Sequence, residues 1–219
     1  MDLKLRRRTF LLTLLGSSFL MREAHSQALQ DPASVVGEYY DPALLPPPES
    51  PIDFPIEQVN PRRIKKRFRR QIVDYDTSAP PRSIVVDPRR RFLYYVLGDG
   101  QAIRYGVGVG RAGFAWSGSA AVGYKRKWPR WVPPGSMVER DPNARKWVNG
   151  QPGGPDNPLG ARALYLFSGG VDTLYRIHGT NDPSSIGKAV SSGCVRLLNE
   201  DVAELYEMVE VGTLVVVLQ

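Results

Sequence analysis

The chain has 219 residues, 42% hydrophobic and 10% aromatic, which suits a globular core of ordinary domain size with extensions. Its 29 lysines and arginines against 22 aspartates and glutamates give a net charge of +7. That balance favours anionic surroundings such as a cell-wall polymer or a membrane surface. Nucleic acid is set aside, because no zinc-finger, RRM or helix-turn-helix signature is present.

The N-terminus reads as an export signal over residues 1–28. Lys4 and Arg6-Arg7-Arg8 form a positive start, and Phe10 to Met21 is a mostly apolar run of 12 residues. A membrane span needs about 20 apolar residues, so this run is short for one. Ser26 and Ala28 supply small residues at the −3 and −1 positions of a cleavage site after Ala28. Arg7-Arg8-Thr9-Phe10-Leu11 also fits a twin-arginine pattern, so both twin-arginine and general secretory export stay open, as does a retained anchor. After cleavage no transmembrane segment is expected.

Residues 29–80 read as a disordered tether. Ten of the 19 prolines lie between Pro32 and Pro81, and proline lacks the amide that a ladder needs. Within this stretch Arg62 to Arg70 carries seven basic residues in nine. Such a run is either a self-repelling solvated linker or an adhesive surface for anionic wall or membrane components.

From Ser83 the pattern predicts strands: Ser83 to Asp87, Arg91 to Leu97, a turn at Gly98-Asp99-Gly100, and Ala102 to Val109. Ala120 to Tyr124 and Lys127 to Val132 are predicted as two further short strands. Residues 133–160, rich in Gly and Pro, are expected to form an irregular lid over a site, with Trp147 touching substrate, or else a surface loop packed by its own Trp and Met. Ala161 to Phe167 and Leu174 to His178 are the next strands, which puts His178 at a strand end. Asp182 to Lys188 is a turn or a short helical stretch. Asn199 looks like the N-cap of a helix whose apolar positions are Val202, Leu205, Tyr206 and Val209, ended by Gly212. Leu214 to Leu218 is a buried last strand. The sum is a mainly β domain over residues 81–219 with one C-terminal helix.

Cys194 is the only cysteine, and His178 is the only histidine outside the segment expected to be cleaved, which holds His25. An exported protein that used cysteine for stability would carry an even number. A free thiol titrates at about pH 8.5, and a nearby imidazole can take its proton. The pair is therefore either catalytic or a small buried hydrophobe beside a structural histidine. Gly193 allows close backbone approach, and the amides of Gly193 and Cys194 are candidates for an oxyanion hole. Arg196 suits either a substrate carboxylate or a structural ion pair with Glu200 or another acid. Ser192 either hydrogen-bonds within the site or shapes the turn.

His178-Gly179-Thr180 and Ser191-Ser192-Gly193-Cys194-Val195-Arg196 resemble the signature of the L,D-transpeptidase (YkuD-type, ErfK-like) catalytic domain, and the resemblance runs from about Pro81 to Gln219. It implies a mixed-sheet β-sandwich or barrel. It also implies acyl transfer by the Cys194 thiolate, with His178 as base and the Gly179 carbonyl as its orienting group. Asp172 and Asp182 are nearby alternatives for that last role. The implied substrate is a peptidoglycan stem peptide, with Arg196, Ser192, Thr180, Asn181 and Trp147 as binding candidates. The implied product is a 3→3 cross-link formed with release of D-Ala, in the periplasm or cell envelope.

Two other acceptors keep the same chemistry: water, or an amine on an envelope protein. A non-catalytic wall-binding module using the basic run is the reading of a different class. A thiol–disulfide oxidoreductase lacks the second cysteine that would resolve a mixed disulfide. One His and one Cys show no metal-ligand spacing. Gly106-Val107-Gly108-Val109-Gly110 continues a hairpin strand rather than opening a helix, so no phosphate loop or dinucleotide fingerprint is read there. No cofactor is expected.

Overall fold

The computed structural model describes residues 52–110, 117–191 and 193–219. The signal-like segment and residues 29–51 lie outside the described residues, as does Ser192. In chain order the strands are β1 Gln71–Asp74, β2 Ile84–Asp87, β3 Phe92–Gly98, β4 Gln101–Gly106, β5 Val109–Gly110 and β6 Gly118–Lys127. Two short helices follow, α1 Gly135–Arg140 and α2 Pro142–Arg145. Then come β7 Arg162–Ser168, β8 Val171–His178, β9 Ala189–Ser191, β10 Val195–Arg196, α3 Asn199–Met208 and β11 Leu214–Val217.

Nine strands form one mixed sheet in the order β1-β4-β3-β2-β11-β6-β7-β8-β10, and β5 pairs with β9 separately. The contacts β11–β2 and β10–β8 are parallel, while the remaining pairs of the large sheet are antiparallel. The fold is thus mainly β with a mixed sheet and a C-terminal helix.

The middle of the sheet is buried on both faces, and strand periodicity explains how. Alternate side chains of a strand point to opposite faces. On β3, Leu93 and Tyr95 join one apolar cluster with Ile84, Val86, Leu164, Ile177, Val202 and Leu205. Their neighbours Phe92, Tyr94 and Val96 join a second cluster with Val85 and Ala102. Helix α3 covers the first face through Val202 and Leu205. The second face is covered by Ile64 and Phe68, with Val59, Val73, Tyr75 and Ala79 packed against them.

That second cover corrects the expected tether. Residues 52–80 are not a tether where they are described. Pro61–Arg63 and Lys66–Phe68 are single 3-10 turns. β1 pairs with β4 from Gln71↔Arg104 to Asp74↔Gln101. The prolines fit because they sit in turns and connections, where no ladder amide is required. A Cβ on Gly187 would overlap the Phe68 ring, and one on Gly106 would overlap the Phe68 backbone and Cβ, so two glycines make room for this one residue. Arg70 forks onto Glu204 with contacts of 2.7 and 2.6 Å, and the Val59 amide donates to Glu200 Oε1 at 3.0 Å. This stretch is hereafter the strap.

Several boundaries also differ from expectation. β6 is one strand to Lys127, and no strand spans Lys127 to Val132. Trp128 turns the chain with a φ of 45°, and Trp131 keeps a single bridge to Gln151. The strand expected from Ala102 to Val109 breaks at Gly106, and Val109 pairs instead with Ala189. Residues 133–160 are not wholly irregular, since they hold α1 and α2. Asn199 is the first residue of α3 rather than its cap, and the helix ends at Met208, before Gly212.

Candidate active site

His178 closes β8 and is flanked on both sides. Across the antiparallel edge it pairs with Ala163, and across the parallel edge with Arg196. Its carbonyl accepts from the Leu197 amide at 2.8 Å, and the next amide, Gly179, donates to the Arg162 carbonyl at 3.0 Å. Cys194 immediately precedes β10, so the parallel register brings the thiol to the His178 end of β8. The 15 residues between them make the loop, the Pro183–Ser185 turn and β9.

The imidazole is buried, at 4% exposure, and its Nδ1 lies 2.6 Å from the Gly179 carbonyl oxygen. A carbonyl only accepts, so Nδ1 carries the proton and Nε2 keeps its lone pair. Burial, with a smaller push from the Arg196 charge, pulls His178 down to about 4, against opposing backbone contacts at Gly179 and Leu159. The imidazole is therefore neutral at pH 7.

Cys194 is partly exposed, but desolvation around its sulfur raises the thiol above its ordinary value. The Arg176 backbone, then the Arg176 and Arg196 charges, oppose that rise. The resting pair is thus thiol and neutral imidazole. Sγ points at the Leu174 carbonyl at 4.0 Å. Leu174 has a φ of 61°, an uncommon value for a branched residue, and is 76% exposed. Asp172 holds it there: Oδ1 accepts from the Leu174 amide at 2.8 Å, and both oxygens take the Arg176 fork at 2.7 Å. Strand β8 is out of register with β7 between Tyr165 and Phe167, beside this kink. Asp172 therefore shapes the wall and does not orient the imidazole.

Trp131, Pro134, Met137, Asp141, Pro158, Leu159, Leu174, His178, Cys194 and Arg196 line one cavity of about 460 Å³. The segment 133–160 supplies five of these residues, with Trp131 just before it. Trp147 is not among the lining residues and is 38% exposed. Arg196 is half-buried, and its Nε is buried without a hydrogen-bond partner among the described residues. Burial lowers its pKa, and Asp182 partly opposes that. No ion pair to Arg196 is formed among the described residues; Glu200 instead receives the Val59 amide of the strap.

Thr180 is buried at 2% exposure and its Oγ1 accepts from the Asp182 amide at 3.0 Å. Asn181 donates from Nδ2 to the Asp156 carbonyl at 2.8 Å, tying the loop after His178 to residue 156 of the covering segment. Both side chains line a second, smaller cavity rather than the one holding Cys194. Gly193 has a φ of 135° and nothing within 4 Å of the place a Cβ would take.

Asn199 is the positioning residue that sequence reasoning misplaced. Its Oδ1 accepts from the Ala161 amide at 3.0 Å and the Thr180 amide at 3.2 Å. A Cβ on Gly160 or Gly179 would overlap that oxygen, so both glycines are needed for its approach. One side chain thus fixes the start of β7, the residue after Gly179, and the first turn of α3. The signal available was the polar residue opening the helix, which the capping reading used up.

The family model for the L,D-transpeptidase catalytic domain, YkuD, matches residues 81–217. The Escherichia coli K12 protein named "Probable L,D-transpeptidase YbiS" is 38% identical over 135 residues, 59% of this chain and 42% of that protein. "Probable L,D-transpeptidase ErfK/SrfK" of the same organism is 36% identical over 136 residues, 60% of this chain and 42% of that one. The chain thus spans less than half the length of these curated relatives. The crystal structure of a "Probable carnitine operon oxidoreductase caia" from Brucella melitensis is 50% identical, covering 73% of this chain and 99% of that one, with a TM-score of 0.49. With the family model matched over more than half of its length, the chain belongs to the YkuD family of L,D-transpeptidase catalytic domains.

Proposed function

We propose that this protein is an exported peptidoglycan L,D-transpeptidase that works through an acyl-enzyme on Cys194. The observation that carries this reading is the joint presence of Cys194, His178 and Arg196 on the wall of one cavity, within the matched family domain. Nε2 of His178 takes the thiol proton as Sγ attacks the carbonyl of the stem peptide's third residue. The C–N bond to the terminal D-Ala breaks, and the proton passes to the departing amine. An acceptor amine then gives its proton to Nε2, attacks the thioester and releases the thiol, leaving a 3→3 cross-link.

The buried His178 imidazole is neutral, so it accepts the proton without first losing one. The amides of Gly193 and Cys194 are assigned to the oxyanion. Arg196, without an ion-pair partner among the described residues, is assigned to a stem carboxylate. Ser192 stays a candidate for substrate contact. The export signal and the periplasmic or envelope location belong to this same reading.

Product mass spectrometry with purified disaccharide-tetrapeptide, beside Cys194→Ala, tests the proposal. A dimer short of one D-Ala, absent in the variant, supports transpeptidation. Loss of D-Ala without a dimer moves the acceptor to water, and no change in a folded protein moves it to an envelope-protein amine or to a wall-binding module.

A further inference from the structure

The basic run Arg62 to Arg70 is not used by the chemistry above, and its place in the fold changes what it can do. Ile64 and Phe68, four residues apart, are both buried at 6% exposure. They face inward and pin the run to the sheet, so Arg62, Arg63, Lys65, Lys66 and Arg67 all face solvent. A disordered linker loses conformational entropy when it binds a partner; this ridge is already ordered.

Its charges are also uncompensated. Among the described residues, Arg70 alone of the run has an ion pair, to Glu204. Arg67 and Arg104 instead converge on one aromatic floor. The Arg67 guanidinium carbon lies 4.8 Å from the Phe68 centroid and 5.8 Å from that of Phe92, and Arg104's lies 4.4 Å from Phe92. Arg104 Nη2 donates to the Arg67 carbonyl at 3.4 Å, and its Nε is buried with no hydrogen-bond partner among the described residues. Two guanidiniums sharing one ring, with no ion pair to either among the described residues, repel each other unless an anion joins them.

We propose that the ridge Arg62–Arg67, with Arg104 behind it, is a binding site for a linear phosphate-bearing polyanion. The Arg67–Arg104 pair takes one phosphate through its planar donors, and the exposed Arg62, Arg63, Lys65 and Lys66 follow the neighbouring phosphates. A soluble polymer fits better than a bilayer, because the two apolar side chains of the run point into the sheet and none is left to insert. The site does not depend on the transpeptidase reading.

The test uses the full chain and long-chain inorganic polyphosphate, with affinity measured across a salt series. Arg62→Gln/Arg63→Gln/Lys66→Gln is compared with Arg89→Gln/Arg140→Gln/Lys146→Gln, which removes the same charge from exposed positions elsewhere. Circular dichroism checks that both variants fold. The ridge variant should lose about tenfold or more in affinity and about two units of the slope of log K against log salt, at about 0.7 per phosphate contact. The control should keep the slope. Equal losses in the two variants, or no binding by the parent chain, overturn the proposal. So does tighter binding to phosphatidylglycerol vesicles than to polyphosphate. Arg67→Gln/Arg104→Gln should also weaken binding; an unchanged affinity there overturns the paired-guanidinium seat.

Discussion

Replacing Phe68 with alanine removes a ring that is 6% exposed, packed at 5.5 Å from Phe92 and so close to Gly187 that a Cβ there would overlap it. Truncating a buried phenylalanine costs about 3–5 kcal/mol, from lost transfer energy plus the cavity left behind. Part of that figure is the aromatic pair, about 1 kcal/mol. The contact of Arg67 with the same ring adds about 0.5 kcal/mol, as expected near the surface. Gly187 cannot fill the hole, because it carries no side chain, so the upper half of the range applies and about 4 kcal/mol is expected. Urea denaturation of the full chain is the assay. At a slope of about 2 kcal/mol per molar, the midpoint should fall by about 2 M. A loss below about 1 kcal/mol would refute the docked strap and restore the tether, since a ring in a solvated linker contributes almost nothing to stability.

Asn199→Ala should cost about 3 kcal/mol by stranding the amides of Ala161 and Thr180, and should slow acylation of Cys194 more than Asn199→Asp, which keeps the acceptor; equal rates in both variants would remove the positioning role. His178 and Asp201 should oppose each other in the pH dependence of stability. Burial lowers His178 from 6.5 to about 4, so its contribution is lost as pH falls through that window. Burial, with Glu200 and Glu204 nearby, raises Asp201 from 3.8 to about 7, so its contribution is present at low pH and lost as pH rises toward 7. Asp201→Asn should therefore show a melting temperature that climbs between pH 4 and 6.5, and His178→Gln one that falls as pH rises; parallel profiles would contradict both assignments. Without substrate, alkylation of Cys194 by iodoacetamide should keep accelerating above pH 8.5, since its thiol is raised. A plateau already reached by pH 7 would instead mean a resting thiolate–imidazolium pair.

Much of this protein follows from local pattern. Turn glycines and β-branched runs located most strands of the sheet, because period-two burial and turn chemistry act over a few residues. The lone Cys194 and His178, each beside glycine, were legible as a pair because few residue types can supply a nucleophile and a base. The helix was legible from Val202 and Leu205. Other features were decided only by tertiary contacts. Composition read the proline-rich strap as a tether, yet β3 needed cover on both faces, and the unbroken apolar run Phe92-Leu93-Tyr94-Tyr95-Val96 was the sign of it. Asn199 satisfies a capping pattern equally well as a cap or as a cross-link, and only the approach of Gly160 and Gly179 selects the second. Trp147 carried the expected chemistry for substrate contact, but the α1–α2 turns put Met137 on the cavity wall instead. Sequence fixes which side chains can react and which faces are apolar; which distant segment covers a face, and which lone pair meets which amide, depends on where the chain returns.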